Sequence, residues 1–305
     1  MSDKKLARFL AIALMIIWGI SFISIKIVVG EINPIQAAFY RFFIASIILF
    51  IILKVKFPEE KVLKQDRVKM VLSGLIGVAM YFFFENYSVY YTTASNVAVL
   101  ISSIPIFTLI TQRLLFKEKL TVPKIFGTIF SVIGIFIIVL SKGKISLFSS
   151  GTKGDLMALG AALCWVLYTI LTSSFKGSYK SITITTYQSI WGCMFLSPSI
   201  LFLPTHIPSF KVIMNLLYLS IICSCVGYAI YVYCLENLGA TTLTTHINLQ
   251  PAVSLIGAKI FLNENVTIEQ VIGCLVIILG VSIVSFGEKL SLKTLGEYLN
   301  SSGDS

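Results

Sequence analysis

A chain of 305 residues that is 56% hydrophobic and only 12% charged, with mean hydropathy +0.90, is not a soluble globular protein, whose charged share runs near ~25%. Its net charge of +10 would suit a nucleic-acid binder, but the lysines and arginines gather in the connections between apolar runs, so no nucleic-acid partner is expected. The apolar runs are about 20 residues long, enough for a helix to cross roughly 30 Å of hydrocarbon, and they lack the every-second-residue alternation of barrel strands. The fold class expected is an all-α membrane protein with the lipid bilayer as its first partner.

Ten spans are predicted, at approximately 9–29, 34–53, 70–90, 94–116, 121–141, 154–175, 182–203, 212–235, 240–262 and 267–287. The first follows Lys4, Lys5 and Arg8 like a signal peptide, yet it exceeds a signal's apolar core and no A-x-A-like site follows, so it reads as a retained helix. Short connections holding Pro, Gly or Asn separate the spans. The Gly/Ser/Lys segment 142–153 reads as a linker between two five-helix halves, 9–141 and 154–287, and 288–305 as a short polar tail. With the N-terminus inside, 17 of the 24 Lys and Arg fall on the inner side and five on the outer, with Lys26 and Arg41 inside spans. Both termini are therefore expected in the cytoplasm.

The chain repeats itself. An offset of 146 superposes Ala94 on Ala240, Pro105 on Pro251, Leu109 on Leu255, Glu118 on Glu264, Thr121 on Thr267, Gly127 on Gly273 and Gly134 on Gly280. An offset of 147 puts Trp18 on Trp165 and Tyr40 on Tyr187. Five spans per half make the copies enter the membrane in opposite senses, so an inverted repeat is expected, with a solute site between the copies near the midplane.

Several residues could carry chemistry. Pro105 and Pro251 interrupt their spans; each reads either as a packing bend or as a kink lining a cavity. Lys26, Arg41 and Glu85 all fall in the outer third of the membrane, where an unpaired charge costs a few kcal/mol, so a mutual cluster of the three is expected. Snorkelling of Lys26 and a purely structural Arg41–Glu85 pair are the bland readings. Their repeat partners, Ser173, Gln188 and Tyr231, are uncharged, which favours a solute requirement over a scaffold one.

In the ninth span Thr242, His246 and Gln250 form a polar stripe near Asn248, answered in the fourth by Asn96, Ser102 and Ser103; these read as cavity lining or as packing. Mid-span Trp18, Trp165, Tyr168, Tyr81, Tyr228 and Tyr231 lie outside the interfacial belts and could wall a solute site or fill the core. The paired glycines read as close-packing faces, and Glu118 and Glu264 as loop or cap residues beside Thr121 and Thr267. The six cysteines sit inside apolar runs and read as small buried hydrophobes; no metal, cofactor or soluble-enzyme motif is found.

The run Trp18–Gly19 followed by Lys26, and the doubled Ala94…Pro105…Glu118-x-x-Thr121…Gly127…Gly134 pattern, resemble the drug/metabolite transporter superfamily, in particular its ten-helix EamA type. The resemblance covers Phe9 to Gly287. It implies a proton- or gradient-linked carrier or exporter of small metabolites such as amino acids in the cell membrane, with a central cavity between two inverted five-helix bundles and a coupling proton or ion as companion. The alternatives are an intramembrane enzyme using Glu85 and His246, or a non-transporting membrane scaffold.

Overall fold

A computed structural model of the chain describes residues 3–117, 121–140, 150–203, 207–262, 267–269 and 271–283, and among these all regular secondary structure is helical. In chain order the helices are α1 (Asp3–Val29), α2 (Pro34–Lys56), α3 (Lys64–Tyr91), α4 (Ala94–Phe116), α5 (Val122–Leu140), α6 (Ser150–Ser173) and α7 (Ser181–Leu196, continued by Pro198–Phe202). They continue with α8 (Phe210–Leu238), α9 in two pieces (Ala240–His246 and Leu249–Leu262) and α10 (Val271–Ile283). Helices α1, α2, α3, α4, α6 and α8 are long and apolar enough to cross a membrane singly, and shorter apolar helices accompany them. Glu118, Glu264, residues 142–149 of the linker and the 288–305 tail lie outside the described residues.

Local chemistry sets the boundaries. Asn33 accepts from the Ile35 amide with Pro34 in the first turn of α2, whose last turn carries Lys54 and Lys56 against the helix dipole. Thr93 caps α4 through the Asn96 amide, and Ser209 caps α8 through the Val212 amide. Gly239, at φ +75°, makes the sharp joint between α8 and α9 that a side chain would strain. Thr121 precedes α5, but its hydroxyl has no hydrogen-bond partner, so no side-chain cap forms there.

Two irregularities recur at repeat-equivalent places. Leu75–Met80 in α3 and Tyr218–Val226 in α8 are wide π-helical turns. Helix α4 breaks at Ser102–Ser103 and α9 at Ile247–Asn248. The prolines therefore do not kink a continuous helix from within. Pro105 stands in the first turn of the second piece of α4, and Pro251 lies near the start of Leu249–Leu262, where a missing N–H is tolerated. The first piece of α4 packs on the second piece of α9, and the second piece of α4 on the first of α9, so the two broken helices cross.

The halves of the chain interdigitate. Helix α1 packs on α8 and α9, α2 on α7, and α3 on α6 and α7. The connections gather at two ends: the 57–66 and 174–180 segments meet at one, here face A, and at the other, face B, Glu31 meets Ser209 and Gln36 meets Leu203. All six cysteines are free and buried.

Helices α5 and α10 touch through glycine. A Cβ at Gly134 would lie 2.5 Å from the Gly273 carbonyl oxygen and 2.9 Å from the Ile277 nitrogen; one at Gly280 would lie 2.5 Å from the Gly127 oxygen. Backbone stands on the other side in each case, so no rotamer change relieves the clash. Gly134→Leu and Gly280→Leu should each destabilise the protein by about 1–3 kcal/mol, seen as a lower midpoint of thermal unfolding, while Phe136→Leu on the exposed side of α5 should leave that midpoint in place.

Candidate functional site

Where α1, α2, α3, α6, α8 and α9 converge, a small cavity is lined by Trp18, Ser21, Phe22, Arg41, Tyr81, Phe82, Glu85, Trp165, Tyr228 and Gln250. Its free volume of about 20 Å³ holds roughly one water molecule. Seven of these residues are among those singled out from the sequence. Ser21, Phe22 and Phe82 were not, although Ser21 and Phe22 follow Trp18 at the i+3 and i+4 spacing that shares a helix face.

The polar wall is two buried charges. Arg41 is 3% exposed; its Nε donates to Ser224 Oγ at 2.7 Å, and its guanidinium lies 4.3 Å from the Phe82 ring centroid and 5.5 Å from that of Phe42. Glu85 is 4% exposed; its Oε1 accepts from the Tyr81 hydroxyl at 2.7 Å, while the buried Oε2 has no hydrogen-bond partner. Among the described residues no donor meets this oxygen, which leaves it an acceptor at the cavity.

The aromatic wall is held by bonds between the halves of the chain. Trp18 Nε1 donates to the Cys223 carbonyl at 3.1 Å, and the Tyr228 hydroxyl donates to the Gly77 carbonyl at 2.9 Å, so each reaches into one of the π-helical turns. Trp18 and Trp165 meet edge to face at 5.3 Å between centroids. Gln250, from α9, donates from its amide Nε2 to Met15 Sδ at 3.4 Å.

Tyr168 and Tyr231 form a layer behind this wall rather than its surface. Tyr231 accepts from Trp165 Nε1 at 3.0 Å and bonds Thr169 at 2.7 Å; Tyr168 donates to Gln188 Oε1 at 3.1 Å. Gln188 in turn donates to Ser73 and Thr172, and Thr172 borders a larger cavity of about 350 Å³ toward face A, walled also by Ser173, Gly177, Ser178, Val232 and Glu236. Tyr168 and Gln188 thus stand between the central cavity and this vestibule.

Lys26 does not join Arg41 and Glu85. Its Nζ donates to the carbonyls of Val89 and Thr92, both at 2.7 Å, and so satisfies the C-terminal end of α3 on face B. Counting residues along a helix says nothing about which way a side chain turns. Asn96 bonds Thr92 and Asp155 at face B, and Ser102 donates to the Ala98 carbonyl beside the α4 break. His246 Nδ1 lies 2.8 Å from the Thr242 carbonyl of its own turn. The α9 break interrupts the Thr242–His246–Gln250 stripe, which is why Gln250 reaches the cavity and His246 is absent from its lining. Asn248, in the break, is fully buried with neither side-chain polar atom bonded. Among the described residues no group of three or more His, Cys, Asp or Glu is placed to hold a metal.

The sequence profile of the EamA-like transporter family matches residues 5–140 and again 152–286. Two curated proteins of Archaeoglobus fulgidus, each named an uncharacterized transporter, are 33% identical over 275 residues (89% of this chain, 94% of the relative) and 29% identical over 282 residues (91% and 98%). The Bacillus subtilis protein named uncharacterized transporter YyaM is 26% identical over 276 residues, 88% of this chain and 89% of its own. A crystal structure 15% identical in sequence superposes with a TM-score of 0.71 over 92% of this chain and 98% of the other, a likeness of fold. With apolar helices long enough to cross a bilayer and a family match over nearly its full length, this chain is a multi-pass membrane protein that belongs to the EamA-like transporter family.

Proposed function

We propose that the chain is a secondary carrier that moves a small zwitterionic metabolite, an amino acid or a close relative, across the cell membrane by alternating access. The observation that carries this reading is the central cavity: a buried guanidinium and a buried carboxylate with one unmatched oxygen, inside a wall of tryptophan, tyrosine and phenylalanine. Arg41 suits the carboxylate of such a solute, Glu85 Oε2 its ammonium group, Gln250 a further polar atom, and the rings its side chain. The cavity is contracted to about one water, so the solute would enter a widened state, as a carrier that rocks between two faces requires. The relatives' names as transporters support the same reading.

The reading takes the architecture as ten spans in two inverted five-helix repeats, 9–141 and 154–287, with both termini in the cytoplasm and face A, which carries the basic 54–69 segment, on that side. A proton or ion gradient is the energy source such a carrier would use. An intramembrane enzyme built on Glu85 and His246 is less well supported, because Glu85 lines the cavity and His246 does not.

Purified protein in liposomes, offered labelled amino acids under an imposed gradient, tests the proposal. Solute that raises the unfolding midpoint should also be taken up. Arg41→Gln and Glu85→Gln should each weaken solute binding at least tenfold, about 1.4 kcal/mol or more. Transport at wild-type rates by both variants would sink the assignment. Lys26→Met should lower the unfolding midpoint through the lost bonds at the end of α3, with the solute affinity of the folded protein unchanged.

A further inference from the structure

Asp66 lies at face A on the approach to α3 and is fully buried. Its carboxylate accepts from the backbone N–H of Lys176 at 3.1 Å, of Gly177 at 3.0 Å, and from the Tyr179 hydroxyl at 2.8 Å, all on the 174–180 segment between α6 and α7. The same hydroxyl accepts from the Leu63 amide at 3.1 Å; beside it Glu60 accepts from the Lys180 amide at 2.9 Å, and Lys69 donates to the Ser174 carbonyl at 2.7 Å. One buried anion thus gathers two loops from opposite halves of the chain. Gly177, one of its donors, is also a wall of the face-A vestibule.

Face B has a tie at repeat-equivalent positions, built differently. Glu31 accepts from the Ser209 amide and, at 2.7 Å, from its hydroxyl. The 146-residue offset lays Ser209 over Leu63, and the 147-residue offset of the first two helices lays Glu31 over Ser178, so the same pair of connections meets at both ends. The counterpart of Asp66 itself is Val212, which cannot accept. Ser209 is exposed and Glu31 partly so, whereas Asp66 is dry. Charge-assisted bonds to a buried carboxylate hold far better than bonds that water can replace.

We propose that Asp66 is the positioning residue that holds the face-A entrance shut, so that the carrier without solute opens to face B more readily than to face A. This rests on the reading that transport alternates between the two faces; it adds a bias between them that the inverted repeat alone would not create.

Nitroxide pairs on the full-length chain, with its six native cysteines replaced, test this by pulsed electron resonance in lipid nanodiscs without solute. One pair reports face A (Lys61→Cys with Ser178→Cys) and one face B (Gly30→Cys with Lys211→Cys), all at exposed positions. The otherwise unsubstituted chain should give a single short distance across face A and a broader distribution across face B. Asp66→Asn should raise the long-distance population at face A roughly tenfold. Tyr179→Phe, with no change of charge, should raise it less, and Asp66→Glu should restore most of the short distance. Glu31→Gln should widen face B alone. An unchanged face-A distribution in Asp66→Asn protein that elutes as a single species overturns the proposal, as does a face A already wider than face B in the unsubstituted chain. Should Asp66→Asn fail to fold, Tyr179→Phe decides, and no widening at face A then counts against it. Because no solute is present, a failed amino-acid assay with these shifts intact would sink the solute reading and leave the latch standing.

Discussion

Backbone N–H and C=O groups inside a bilayer have no water to turn to, and that constraint organises this molecule. A chain of unbroken helices would satisfy it most simply, yet α3 and α8 each carry a wide turn and α4 and α9 each a break. The wide turns are matched from across the repeat boundary: Trp18 bonds the Cys223 carbonyl and Tyr228 the Gly77 carbonyl. Each bond both satisfies backbone and sets an aromatic ring at the centre of the protein. Arg41 also reaches the α8 turn, but through a side chain, the Ser224 hydroxyl. Two residues of the cavity wall, Trp18 and Tyr228, are thus among the groups that make the irregular backbone tolerable.

The same bonds imply that the two halves cannot slide past each other without exchanging partners. Tyr168 and Gln188 stand between the central cavity and the face-A cavity, and Asp66–Tyr179 and Glu31–Ser209 tie the two halves at faces A and B. The central cavity has room for about one water, with a larger cavity beyond the Tyr168 layer. Elsewhere the halves meet at the crossing of the broken α4 and α9 and at the glycine contact of α5 with α10, where backbone meets backbone.

The sequence carried the helical class, the positions of the helices and the glycine faces, because composition, run length and a repeated order of uncommon residues are one-dimensional signals. Azimuth was less legible. Lys26 turns to the end of α3, and the α9 break separates His246, which bonds the Thr242 carbonyl, from Gln250 in the cavity wall. The π-helical turns leave no mark in periodicity over six to nine residues. Asp66 was passed over among the charges of a polar loop; its burial depends on the fold of a segment 110 residues away.

The central claim is that solute binds between Arg41 and Glu85 against the paired indoles. The chain has three tryptophans, of which Trp18 and Trp165 line the cavity and Trp191 does not. Intrinsic fluorescence of the Trp191→Phe protein therefore reports on the cavity alone. Titration with an amino acid that the protein transports should change its emission saturably, and Arg41→Gln in the same background should abolish the change. Transport of that solute with no change in emission at saturating concentration would contradict the account.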